Sequence, residues 1–496
     1  MKLISGTGEF TGIDTSTIVL FCFEKDFAAD RDLKELNKRL NGAVQSLYQS
    51  GEFEGKRNQT FVLHTLNNLK AGRVVLAGLG EKKKVDDDSY RQAAGTIARV
   101  PSVKKSETLA FFLNKNEKES AVSAIVEGFL LGRFDIKDYK TGDDNKNDLT
   151  RSVSFISGNA RLSRAYGKAL VRGELISEAV ILARRLAAHP GNILTPKAFA
   201  SEAQTLAKKH SLKCTILDEK LIREEKMGAL LAVAQGSEQP PRFVILEYNG
   251  GRKTDKPVVL IGKGITFDTG GISLKQAADM DEMKGDMTGG AIMLAVITAA
   301  SRLKLPLNLV TLVPLAENMP SGKATRPGDI IKTRKGKTVE IINTDAEGRL
   351  ILADALDYAN KFHPQAVIDI ATLTGAALFV LGYAGAPILG NNRRLMDALK
   401  VAAHNTAEKV WEMPLWEEYR ELMKSSIADL KNSGGRPAGT ITAAAFLESF
   451  IGDWPWAHID IAYVDLEKTG QPYIPKGPTG IGVRLLIELL SHWKKL

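Results

Sequence analysis

Five short, largely apolar runs downstream of residue 190 constrain the fold most: Phe243–Leu246, Val258–Ile261, Leu309–Val313, Ala366–Ile370 and Ile459–Ala462. Helical stretches lie between some of them, for instance Gly289–Leu303 and Leu350–Phe362. A strand that is apolar on both faces must be covered on both faces, and interleaved helices do this. The pattern predicts an α/β fold whose central sheet is mostly parallel and covered by helices. In such sheets ligands bind beyond the carboxyl ends of the strands.

The chain has 496 residues, room for two or about three domains. Upstream, Ile18–Phe23 and Arg73–Leu76 read as strands, and Arg31–Tyr48 and Tyr90–Val100 as helices, a smaller α/β unit. Gly78-Leu79-Gly80 lacks the third glycine of a dinucleotide fingerprint and reads as a tight turn. The polar stretch Thr141–Leu149 reads as a linker. Leu162, Tyr166, Leu170, Ile176, Val180 and Leu186 recur at helical spacing, and His189-Pro190-Gly191-Asn192 stops the run. The expected organisation is an N-terminal α/β domain over 1–160, a connecting helix over 161–188 and a larger C-terminal domain over 189–496.

Hydrophobic residues make up 44% and charged residues 25%, which excludes disordered, collagen-like and coiled-coil chains. Two cysteines, Cys22 and Cys214, exclude a disulfide scaffold and cysteine-rich zinc sites. The N-terminal segment MKLISGTGEFTG has no apolar core of signal-peptide length, so a cytoplasmic location is expected. Ile370–Gly390 carries no charge. Its threonines, glycines and Pro387 suit a buried strand running into a loop and helix better than a membrane span. The net charge of +9 keeps open a DNA-binding role, which would need lysines and arginines gathered on one face of the first domain.

Three segments concentrate chemistry. Gly262-Lys263-Gly264-Ile265-Thr266-Phe267-Asp268-Thr269-Gly270-Gly271 follows the run Val258–Ile261 as a glycine-rich turn. Leu274-Lys275 is followed by MDEMKGD at 280–286. NTDAEGRL at 343–350 follows the short run Val339–Ile342. Taken singly, each has a bland reading: a turn, a helix start, and a Thr344/Glu347 capping box. Taken together, they bring carboxylates to strand ends. If those strands are parallel neighbours, the acids share one crevice, where their repulsion would force one to protonate. A pair of divalent cations resolves this. Bridging then suits Asp268 and Glu347, with Asp286 and Asp345 terminal, and Lys263 could ligate only if its pKa were depressed. Seven histidines include no H-E-x-x-H pair, and there is no G-x-S-x-G elbow or phosphate-binding loop. His189 and His363 read as loop residues, and His458 as a structural histidine at a strand start.

NTDAEGRL resembles the signature of the leucyl aminopeptidases, the cytosol aminopeptidase family of two-metal exopeptidases. GKGITFDTGG, MDEMKGDMTGGA, GTITAAAFL, WAHIDIA and GPTGIGVRLL resemble further blocks of that family, in family order, and NILTP fits the entry to its catalytic domain. The resemblance covers the C-terminal two-thirds of the chain. It implies metal ligation by Lys263, Asp268, Asp286, Asp345 and Glu347, and catalytic roles for Lys275 and Arg349. It also implies a bicarbonate ion held by Arg349 as general base, and a substrate pocket lined by Met283, Asn343, Thr372 and Leu373 besides Lys275. The assembly it implies is a homo-hexamer. Thr269 stands where the family usually has serine, and Gln276–Asp279 and Gly285 also depart from the common form without removing a ligand.

The implied reaction is hydrolysis of the N-terminal peptide bond of peptides by a water activated between two metals, with uncharged aliphatic first residues such as leucine preferred. Lys275 would stabilise the oxyanion. Arginine stays protonated and cannot itself be the base. Oxygen-rich ligation without histidine suits Mn2+ or Mg2+, with Zn2+ also expected at bridged sites. A dipeptidase for cysteinylglycine-type substrates would share the site and differ in the pocket only.

Overall fold

The computed structural model describes residues 1–113, 117–141 and 149–494. The linker expected at Thr141–Leu149 falls mostly outside them. The chain divides into two compact units, one comprising Met1–Glu178 with Thr469–Lys476, the other Ala179–Lys468 with Gly477–Leu496.

The first unit holds six strands: β1 (Lys2–Thr7), β2 (Thr17–Phe23), β3 (Thr60–His64), β4 (Arg73–Gly80), β5 (Thr108–Phe112) and β6 (Ser152–Ser157). Their order is β1-β6-β5-β2-β4-β3, and every pair is parallel except β3 with β4. β2 is buried along its whole length, which is why its sequence TIVLFCF shows no alternation. The helix expected over Arg31–Tyr48 is two helices, Arg31–Arg39 and Ala43–Ser50. Between them Asn41 and Gly42 take positive φ (51° and 89°), a conformation that ends a right-handed helix. The long helix is present as Ala160–Ala188.

The second unit is built on a nine-stranded sheet. Its strands are β7 (Lys213–Leu217), β8 (Arg242–Asn249), β9 (Val258–Gly262), β10 (Gly264–Asp268), β11 (Asn308–Asn318), β14 (Ala366–Ala371), β15 (Ala386–Gly390), β16 (Val410–Glu412) and β18 (Trp456–Asp460). The order is β16-β15-β18-β14-β9-β11-β8-β7, with β10 added to β11. The central strands β18, β14, β9 and β11 are mutually parallel. β12 (Ile330–Lys332), β13 (Thr338–Glu340) and β17 (Leu430–Lys431) form a separate small sheet. Helices Thr288–Arg302 and Glu347–Tyr358 both pack on β9 and β11, and Thr288–Arg302 also packs on β14. Val259, Ile261 and Val367 join Leu350, Ile351 and Leu352 in one core. No helix among the described residues is long and apolar enough to cross a membrane; Ile370–Gly390 resolves into the end of β14, a short helix Ala377–Leu381 and β15.

Three local expectations are corrected. The turn expected after β9 contains β10, offset from β11 by a bulge between Ile265 and Phe267. The last central strand starts at Trp456 and ends at Asp460, because the Asp460 carboxylate turns back to accept the Ala462 N–H. The strand before NTDAEGRL pairs with β12 and β17, so it is no neighbour of β9.

Helix Glu347–Tyr358 is anchored by Asp354. Its fully buried carboxylate accepts the backbone N–H of Leu230 at 3.0 Å and of Arg334 at 2.8 Å. Asp354→Ala strands both donors in an apolar setting, at a cost of about 2–4 kcal/mol. Chemical denaturation is expected to show a loss of that size, and a smaller one for Asp354→Asn, which keeps an acceptor.

Candidate active site

The site lies at the carboxyl ends of β9, β10 and β14. Lys263 follows β9 directly, its backbone held in the ladder by N–H donation to Ile370 and by accepting the N–H of Gly290. The residue is only 2% exposed, and a lysine that deeply buried must be paired. Its Nζ lies 2.7 Å from Asp286 Oδ1 and 2.9 Å from Glu347 Oε1, and donates to the Thr372 carbonyl at 2.7 Å. Lys275 bridges a second pair of acids: Nζ is 2.8 Å from Asp268 Oδ2 and also meets Asp345. Asp268, Asp286 and Glu347, all buried, each offer an oxygen within 4.8 Å of the others.

Each acid is reached by its own route. Asp268 ends β10. Asp286 caps the 3-10 turn Met280–Gly285, which carries Met283, and Thr372 Oγ1 donates to its Oδ1 at 2.7 Å. Glu347 opens its helix from the first turn, where the helix dipole favours a carboxylate. The capping box is not formed. Thr344 Oγ1 donates to the Gly270 carbonyl at 2.6 Å and accepts the Ser273 N–H, so it ties the second acidic segment to the glycine turn.

Close approach of backbone to Lys263 makes a glycine necessary at 348. A methyl there would stand 2.6 Å from Lys263 Cε and 2.8 Å from Nζ. Wedged among Asp286, Glu347 and Thr372, Lys263 has nowhere to go. Gly348→Ala is expected to cost about 1–3 kcal/mol through overpacking, and to lower turnover by moving Nζ. Thermal melts and kinetics on one preparation check this.

Burial raises the carboxyl pKa values of Asp286, Asp268 and Asp345, and repulsion from Glu347 raises the first two further. Burial opposes charge on Lys263 and Lys275 as well, but Asp286, Glu347 and Asp268 around the first, and Asp268, Glu347 and Asp345 around the second, together outweigh it, and both ammonium pKa values rise. The depressed pKa that would make Lys263 a neutral ligand is therefore absent from this ion-paired arrangement. Arg349 is buried, its pKa brought down to about 10 by desolvation, and it donates through Nη1 to the Asn432 carbonyl at 2.9 Å.

Three polar residues escape sequence reasoning. Asn318, at the end of β11, donates to Asp268 Oδ1 at 2.8 Å and to the Thr344 carbonyl at 3.0 Å. Asn432 Oδ1 accepts the Ile342 and Asn343 N–H groups, and its Nδ2 donates to the Asn343 carbonyl. Asp460 accepts the N–H groups of Leu373 and Thr374 and the Thr374 hydroxyl. Asn343 Oδ1 in turn accepts the Asp345 N–H at 2.9 Å. Of these only Asp460 had a signal, its place in the WAHIDIA block. His458 is fully buried and pairs through Nδ1 with Asp369 at 2.5 Å, inside the sheet.

The donor set fits hard cations. Asp286 Oδ2 and Glu347 Oε2 are buried and have no hydrogen-bond partner among the described residues, a costly state for carboxylate oxygens. Clustered carboxylate oxygens without histidine or thiolate favour Mg2+, Mn2+ and similar ions. Fold and site thus fit the class of divalent-metal enzymes, with the acids gathered at the rim of an α/β sheet. Residues 181–487 match the family model for the catalytic domain of the cytosol aminopeptidase family, and 19–143 match that for its N-terminal domain. The chain is 44% identical over 480 residues to a probable cytosol aminopeptidase of Geotalea uraniireducens (strain Rf4), covering 96% of this chain and 97% of that one. It is also 44% identical over 485 residues to one of Geobacter sulfurreducens, covering 97% and 98%. The solved structure titled bottromycin maturation enzyme BotP in complex with Mn superposes with a TM-score of 0.84 at 32% identity, over 96% of this chain and 99% of that one. The chain belongs to the cytosol aminopeptidase family and is a metal-dependent aminopeptidase, a hydrolase acting on peptides.

Proposed function

We propose that the enzyme removes the N-terminal residue of peptides, preferring uncharged aliphatic residues such as leucine, at a centre of two divalent cations. Lys263, Asp268, Asp286, Asp345 and Glu347 would hold them, with Asp268 and Glu347 shared between both, and Lys263 would join as a neutral amine once the incoming cations displace its proton. The observation that carries this is the convergence of three buried carboxylates, two with unpartnered oxygens. Mn2+ suits the oxygen donors best and is the metal named with the BotP structure; Zn2+ and Mg2+ are the alternatives. When bound, such ions supply Lewis-acid polarisation of the carbonyl and lower the pKa of the attacking water.

The remaining work falls to the chain. Lys275, cationic between two carboxylates and 24% exposed, faces the cleft and stabilises negative charge on the carbonyl oxygen. Arg349 stays protonated at neutral pH and would hold bicarbonate as the general base. Met283, Asn343, Thr372 and Leu373 line the pocket for the first residue. The Thr372 and Leu373 segment is set by Lys263, Asp286 and Asp460. We assign this chemistry to 189–496, with 161–188 connecting it to a domain over 1–160, and expect a homo-hexamer; a place in the cytoplasm is in keeping with the relatives' name.

Chelation tests the reading. Leucine-amide hydrolysis is expected to vanish in excess chelator and return when Mn2+, Zn2+ or Mg2+ is added back, with the folded state retained throughout. Cleavage that persists in full chelator overturns it.

A further inference from the structure

Beyond β18 the chain makes a strained turn. The Ile461 N–H donates to the Ala371 carbonyl at 2.8 Å, which keeps the segment beside the exit of β14. Tyr463 then takes φ +69°, a left-handed conformation that costs a non-glycine residue about 1 kcal/mol or more. Its ring packs edge-on to Tyr383 at 6.3 Å. Its hydroxyl lies 3.7 Å from where a methyl would stand at Gly375, two residues past Leu373. Asp465 follows, its backbone pinned by donation to Ile461 and by accepting the Thr479 N–H.

The half-buried Asp465 carboxylate points toward the other wall. Its Oδ2 lies 3.7 Å from the methyl position at Gly285, the residue between the Met283 turn and Asp286. The backbone N–H groups beside it are its own and that of Tyr463, and the charged groups near it are Glu282 and Asp460, both acidic. Lys468, three residues on, pairs with Glu282 instead. Among the described residues, no lysine or arginine forms an ion pair with Asp465. Burial without a counter-cation pushes its carboxyl up to about 7, and a cation brought by a ligand would relieve that cost.

We infer that Asp465 is a specificity-determining residue that admits long cationic first residues, lysine and arginine, to the substrate pocket. This rests on the pocket assignment proposed above. The methylenes of such a side chain lie along Met283 and Leu373, and its charged head reaches Asp465, the division of labour natural to amphipathic side chains. The same apolar stretch serves leucine, because the carboxylate acts only on a head group that reaches it. The strained turn sets both features at once: the Tyr463 ring leans on the loop beyond Leu373, and the Asp465 carboxylate abuts the turn of Met283.

The test is the ratio of kcat/KM for arginine amide to that for leucine amide, measured on the metal-loaded enzyme and on Asp465→Asn, Asp465→Leu and Asp465→Glu. Wild type is expected to cleave arginine and lysine amides within about 10-fold of leucine amide. Asp465→Asn and Asp465→Leu should lower the ratio at least about 10-fold, chiefly through KM, as expected for loss of a buried charge partner, and Asp465→Glu should retain most of it. General damage to the enzyme cancels in the ratio. A wild type that cleaves leucine amide but disfavours arginine and lysine by more than about 100-fold overturns the inference alone, as does a ratio unmoved in both neutral variants. Failure to cleave leucine amide at all overturns the underlying pocket reading and this inference with it.

Discussion

Glu347→Gln is expected to lower turnover of leucine amide at least about 100-fold, about 2.7 kcal/mol of activation free energy. The substitution is nearly isosteric, so it tests charge rather than shape. Glu347 Oε1 is 2.9 Å from Lys263 Nζ, while Oε2 has no hydrogen-bond partner among the described residues. An amide can retain one contact, but it cannot supply the negative charge that a divalent cation requires. Metal content after dialysis should fall along with the rate. The melting temperature without metal should change little, because the variant loses one ion-pair partner of Lys263 and keeps Asp286 and the Thr372 carbonyl. Near-normal turnover with full metal content would remove Glu347 from the ligand set.

Lys275→Ala is expected to cost a similar factor, with a different signature. Its ammonium is held between Asp268 and Asp345 and is partly open to the cleft, the geometry wanted for a donor aimed at charge that develops during reaction. Loss of such a donor lowers kcat more than it raises KM. Lys275→Arg keeps the charge, but its planar fork does not reproduce a compact ammonium between two acids, so it should recover only part of the rate. Equal turnover in Lys275→Ala and wild type would place the stabilisation of the carbonyl oxygen elsewhere.

The architecture was largely legible because its signals are local. Strands such as Val258–Gly262 are apolar on both faces, and Ala160–Ala188 repeats at helical spacing over many turns. β10 escaped because five residues between glycines, offset by a bulge, look like a turn until β11 is present to pair with them. The site was legible as residue types beside glycine-rich turns, and illegible as partnerships. Asn318 serves Asp268 from 50 positions away, and Asn432 serves Arg349 from 83. The route by which Asp345 and Glu347 arrive also had to be seen in three dimensions, since the strand before them belongs to the small side sheet.

Lys263, locked between the acids of two distant segments, has a consequence for how the enzyme comes into being. During synthesis the ribosome releases Lys263 and Asp268 long before Glu347, and a growing chain cut off between them holds only part of the cluster. If the cluster holds the cations as proposed, ion capture waits for the helix that begins at Glu347 to dock. From that moment, any cation that prefers the finished cluster draws the maturing protein toward its native form by mass action, so cellular metal supply would set the yield of enzyme as well as its rate.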